Sequence, residues 1–144
     1  MEIRGIAHVA YKVSDMEKSL RFYCDVLGFK KLFTLKNDAG EPWIIYLEIA
    51  PKHYIELFYA NPDTEDVQLG RDNMGKRIGY MHLCLEVTGM QELEEHLRAN
   101  GVEILSPTHM GIDETWQMWI EDPDGNPIEF HEYTEKSYQL VGRK

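Results

Sequence analysis

The sequence predicts an α+β fold made of two β-α-β-β-β modules in tandem, and three observations predict it. A His…Glu pair recurs at nearly one spacing: Glu56 follows His8 by 48 positions, and Glu129 follows His82 by 47. Helix-start signals recur in step, since Ser14 and Thr88 each lie six positions after their histidine. Each expected helix then stops at a glycine, Gly28 in the first half and Asn100-Gly101 in the second, where a left-handed residue closes the last turn.

The elements follow in order. Residues 3–13 alternate and predict a strand with Ile6, His8 and Ala10 on one face. Ser14 and Glu17 form a capping box. Met16, Leu20, Tyr23, Cys24 and Leu27 make the helix's apolar stripe. Strands are expected at 29–36, 42–50 and 53–60. Residues 61–77, rich in Asp, Asn and Gly, read as a linker. The second module opens with a strand over 78–87 that carries His82. Thr88 and Gln91 make its capping box, and Met90, Leu93 and Leu97 its buried stripe. A strand at 102–105 precedes two more at 115–121 and 127–133, joined by the turn Asp122-Pro123-Asp124-Gly125. Residues 134–144 are polar and read as a tail or an arm over a neighbour. The chain is thus expected to be one domain of two repeats, 3–60 and 78–133.

Composition narrows the partners. The 144 residues are 43% hydrophobic and 28% charged, which suits a globular domain with a real core. With 25 acidic and 15 basic residues the net charge is −10, and no basic stripe is offered to nucleic acid. No apolar run approaches the ~18 residues of a membrane helix. The N-terminus lacks the continuous apolar core of a signal peptide, so a cytoplasmic protein is expected. The two cysteines, Cys24 and Cys84, are too few for a disulfide framework and are expected to be small buried residues.

The repeated pair carries the chemistry. At period two, Glu56 shares a face with Tyr54 and Phe58, and Glu129 with His131 and Tyr133. His8 lies with Ala10 and Lys12, and His82 with Tyr80, Cys84 and Glu86. Carboxylates inside core-forming strands are rarely buried unless paired or bound. Two imidazoles and two carboxylates, His8, Glu56, His82 and Glu129, suit one divalent metal ion, with Ni, Co, Zn, Mn and Fe as candidates. Counting by twos also places Thr115, Gln117 and Trp119 on one wall beside Glu129 and His131, while Trp116 points outward against a helix. Tyr46, ten before Glu56 as Trp119 is ten before Glu129, is expected to face the same pocket. His96 is expected on the surface, His53 in a turn, and His109 in a loop over the pocket.

These four residues, the paired modules and the stretch WIEDPDGNPIEF resemble the vicinal oxygen chelate superfamily over residues 3–133. Within it the His/Glu/His/Glu set resembles glyoxalase I (lactoylglutathione lyase). The resemblance implies the glyoxalase/bleomycin resistance/dioxygenase fold, a cup-shaped mixed sheet with the metal inside and helices outside, and assembly as a homodimer. It implies a lyase or isomerase in which the metal stabilises an enediolate and Glu56 or Glu129 moves the proton as the catalytic base. Other members are epimerases, ring-cleaving dioxygenases or small-molecule binding and resistance proteins. The positions that read glutathione differ here. Lys12 stands where that family has an Arg, Ala60 where it has an Asn, and Ser106–Gly111 lacks the Lys of its last loop. With Lys12, Gln117, Trp119 and His131 as substrate-binding residues, the resemblance points to a polar hydroxy-carbonyl substrate rather than a glutathione adduct.

Overall fold

The computed structural model describes residues 1–64, 76 and 78–142. The chain divides into two compact units, Met1–Asp66 and Val67–Lys144. Most of the linker expected over 61–77 lies outside the described residues.

Unit 1 holds β1 (His8–Val13), α1 (Met16–Leu20) continuing into a π-helical turn (Arg21–Val26), β2 (Lys30–Lys36), β3 (Pro42–Ala50) and β4 (His53–Tyr59). Unit 2 holds β5 (Leu83–Glu86), α2 (Met90–Ala99), β6 (Ser106–Met110), β7 (Trp116–Glu121), β8 (Pro127–Glu132) and a short α3 (Tyr138–Val141). Their sheets have one topology, β1-β4-β3-β2 and β5-β8-β7-β6. The first strand of each lies parallel to the last, and the other pairs are antiparallel. A parallel pair needs a long crossover, and the helix after β1 or β5 begins it. The β-α-β-β-β order therefore occurs twice, as the sequence predicts.

Strand alternation decides what each sheet buries. Ile55 and Leu57 of β4 are fully buried, with Ile45 and Leu47 beside them on β3. Ile128 and Phe130 of β8 are matched by Met118 and Ile120 of β7 in the same way. The residues between them, Glu56 and Glu129, are thereby turned to the opposite face of each sheet. In unit 2 that core is closed by α2, which packs on β6, β7 and β8 and buries Met90 and Leu97. Glu94 pins the helix to β6: it accepts from the Thr108 N–H at 2.8 Å and from Arg98. The Thr108 hydroxyl and N–H, with Arg98, hold its carboxyl at about 2, well below the usual range.

Several local expectations are corrected. The first strand starts at His8 rather than residue 3. Asp15, not Ser14, caps α1, its side chain accepting from the Lys18 N–H at 3.0 Å. The π turn, in which the Leu27 N–H donates to the Phe22 carbonyl five residues back, rotates the buried face. Phe22 and Ser19 are buried beside Met16 and Tyr23, while Cys24 and Leu27 are only half-buried. His82 precedes its strand, which is confined to Leu83–Glu86. No strand forms at 102–105; it forms at Ser106–Met110, where a loop is expected. Pro107 sits there on an edge strand, the place in a sheet that tolerates a missing N–H.

Thr88 does not cap α2 either. Gly89 stands at the cap with φ 77°, and its N–H and that of Met90 donate to the Glu132 carboxylate at 2.7 and 3.1 Å. An anion on the first turn satisfies two orphan donors and complements the helix dipole. Glu132→Ala should therefore cost about 1–2 kcal/mol, read as a lower urea midpoint at unchanged slope; an unshifted midpoint would show the cap to be idle. Residues 134–142 are no free arm. Ser137 is buried and donates to the Glu114 carbonyl, and the Tyr138 N–H donates to that of Asp113, so the segment docks on its own unit.

Candidate metal centre

Each unit presents one histidine-carboxylate pair on the face opposite its core. In unit 1, the parallel register sets His8 beside Tyr54 and Ala10 beside Glu56. His8 Nε2 lies 3.4 Å from Glu56 Oε2. His8 is exposed, whereas Glu56 is buried at 9% exposure. Tyr46 is opposite Glu56 on β3, and its hydroxyl donates a short hydrogen bond to Glu56 Oε1. That bond to a carboxylate is the main reason the Tyr46 phenol is raised above its ordinary value. Phe33 stacks on Tyr46 from β2. Lys12 lies on the same face of β1 and is exposed.

Unit 2 repeats the pattern with added groups. His82 Nε2 lies 3.1 Å from Glu129 Oε2, and His131 Nε2 lies 3.1 Å from Glu129 Oε1. Glu129 is thus a carboxylate 7% exposed between two imidazoles. Trp119 is opposite Glu129 and packs edge-on against His82 at 4.7 Å between ring centroids. Gln117 is opposite His131, so the wall of Gln117, Trp119, Glu129 and His131 has the face predicted. The Gln117 amide, however, donates to Asp113 at 3.1 Å. Gly111 permits this: a Cβ there would come within 2.5 Å of both side chains. Thr115 is fully buried and its hydroxyl donates to Gln139, which donates in turn to the same Asp113 carboxylate as Gln117. Trp116 lies on the face that α2 covers, with Met118 and Ile120, and lines with Glu132 and Met90 a cleft of about 270 Å³ at the start of α2.

Cys84 departs from expectation. It is exposed rather than buried, and it sits opposite Glu129 on β5. Protein packed round the sulfur, and then the Glu129 charge, push its thiol up to about 12. Cys84, Glu129 and His131 each bring a ligand atom within 4.8 Å of the others. Cys84 is legible in the sequence as a neighbour of His82 at period two, but a lone cysteine in an apolar strand reads as an inert buried residue and gives no sign of its chemistry. Of the other histidines, His109 lies in β6 and is exposed, as are His53 and His96.

A divalent ion fits these residues. Among the described residues, His131 Nε2 is buried against Glu129 Oε1 at 3.1 Å, and His82 Nδ1 is buried without a hydrogen-bond partner. A buried imidazole nitrogen left in that state is costly unless something coordinates it, and the buried carboxylates face imidazoles rather than Lys or Arg.

Residues 5–130 match the Glyoxalase/Bleomycin resistance protein/Dioxygenase superfamily, and the chain belongs to that family. Among its relatives is a probable lactoylglutathione lyase of Synechocystis sp., 30% identical over 135 residues, covering 91% of this chain and 97% of the relative. Another is a 2-epi-5-epi-valiolone epimerase of an Actinomyces species, 33% identical, covering 70% of this chain and 62% of the relative. A glyoxalase family protein of Enterococcus faecalis shares the fold with a TM-score of 0.74 at 25% identity, covering 92% of this chain and all of the other. Family members use a divalent metal and act on small molecules. Among the described residues no helix is long and apolar enough to cross a membrane.

Proposed function

We propose that the protein is a divalent-metal-dependent lyase or isomerase of the glyoxalase I type, with His8, Glu56, His82 and Glu129 as ligands of one ion. The observation that carries this reading is the buried carboxylate beside an imidazole on the non-core face of each sheet, Glu56 with His8 and Glu129 with His82. Bound there, Ni, Co, Zn, Mn or Fe would act as a Lewis acid toward the oxygens of a hydroxy-carbonyl compound. The chain's own residues handle the proton. Glu56 is tethered by the Tyr46 phenol, whereas Glu129 lies between the His82 and His131 imidazoles with the Cys84 thiol opposite it on β5. Glu129 is therefore the base that takes the proton beside the carbonyl and returns it at the neighbouring carbon. His131 and Trp119 orient the substrate on the wall, with Gln117 and Lys12 as further polar contacts.

The polar wall and the missing glutathione contacts favour a hydroxylated substrate. The epimerase relative supports a second reading of the same step, with the proton returned to its own carbon from the opposite side. Two unpaired cysteines fit a reducing cytoplasm, and the exposed Leu32, Phe33, Leu35 and Trp43 fit a homodimer. The test is the metal-loaded protein in deuterated water with methylglyoxal plus glutathione, and separately with small hydroxy-ketones and hydroxy-aldehydes. The expected result is deuterium at the carbon beside the carbonyl of a hydroxy-carbonyl compound and no lactoyl thioester. A metal-dependent thioester would restore glutathione as the substrate, and no exchange with any compound or metal would leave a binding protein.

A further inference from the structure

The non-core faces of the two sheets are repeats, and two of the places where they differ bear on metal binding. In unit 1 the β1–β4 register puts Ala10 opposite Glu56 and Lys12 opposite Phe58. In unit 2 the same places hold Cys84 opposite Glu129 and Glu86 opposite His131. A thiol stands where the repeat has a methyl group, and an imidazole where it has a phenyl ring. Both flank the one carboxylate. Both changes add a metal-binding atom beside that carboxylate: Cys84 is exposed opposite Glu129, and His131 Nε2 is buried against Glu129 Oε1 at 3.1 Å.

We propose that unit 2 by itself binds a thiophilic divalent ion, Zn²⁺ or Cd²⁺, through Cys84, Glu129 and His131. Their ligand atoms already lie within 4.8 Å of one another, and bonds of about 2.0–2.3 Å draw them together by side-chain rotation. The Glu129 side chain is only 9% exposed and that of His131 13%, so two of the three ligands are largely shielded from water while Cys84 stands at the open side. Sulfur selects soft ions, whereas imidazole and carboxylate alone discriminate less. The set shares Glu129 with the four-ligand reading but needs neither His8 nor Glu56, so a variant lacking those two tells the readings apart.

Cobalt(II) titration of the full chain tests it, because a thiolate bound to cobalt gives a near-ultraviolet charge-transfer band that nitrogen and oxygen ligands do not. The band is expected in the wild type and in a His8→Ala/Glu56→Gln variant, and it should vanish in Cys84→Ser. Zinc affinity should fall at least ~10-fold in Cys84→Ser and in His131→Asn. Visible cobalt bands without charge transfer in the wild type would overturn this inference and leave the four-ligand reading intact. Loss of the charge-transfer band in His8→Ala/Glu56→Gln would overturn it too, and no cobalt absorption at all would end both readings. Cadmium-113 NMR of the wild type gives the same answer without a variant: a sulfur ligand shifts the signal far downfield, and its absence sinks the proposal.

Discussion

Glu129→Gln should slow exchange of the proton beside the substrate carbonyl by ~10²–10⁴-fold, the usual worth of a positioned general base. The substitution keeps the size of the side chain but removes the anion that lies between His82 and His131. Weakened metal binding would slow the reaction as well, so the measurement is made at saturating metal with the bound ion quantified. At full occupancy Glu129→Gln should stay slow, while Glu56→Gln should recover most of its rate, because Glu56 is held by Tyr46 as a ligand. If added metal rescues Glu129→Gln and not Glu56→Gln, the base is Glu56 and the assignment is reversed.

The largest stability effect is expected at Leu57. Its side chain is fully buried at the centre of β4, the strand flanked by β1 and β3. Leu57→Ala removes buried methyl groups and leaves a cavity, which costs roughly 2–5 kcal/mol. For a chain of this size that lowers the thermal midpoint by roughly 10 °C. Leu35→Ala on the edge strand, where the side chain is 41% exposed, should change stability by no more than ~0.5 kcal/mol. Equal losses at the two positions would contradict the burial assigned to β4. The result matters for chemistry because Glu56 is the next residue: what buries Leu57 also aims Glu56 at His8.

What could be read from sequence was whatever depends on near neighbours. Period-two alternation placed Glu56, Glu129, His131 and Trp119 on their faces, and Gly28 and Gly101 marked the helix ends. Local reading fails where distant residues decide. The cap of α2 comes from Glu132, 43 residues beyond Gly89, and nothing near Thr88 signals it. The π turn follows no local periodicity, and it put Phe22 into the core in place of Leu27. Ser106–Met110 carries a proline and reads as a loop until β7 pairs with it. The exposure of Cys84 follows from the register of β5 against β8, which no single segment encodes.

The Glu132 cap gives the molecule an internal reporter. Glu132 and His131 are adjacent on β8 and face opposite sides of the sheet, one holding the Gly89 and Met90 amides and the other lying beside Glu129. Anything that immobilises His131 also stiffens the carboxylate next to it. The hydrogen-exchange rates of those two amides would then slow when an ion occupies the opposite side of the sheet. Two backbone protons remote from the chemistry would thus keep time for it, legible by NMR without a substrate in hand.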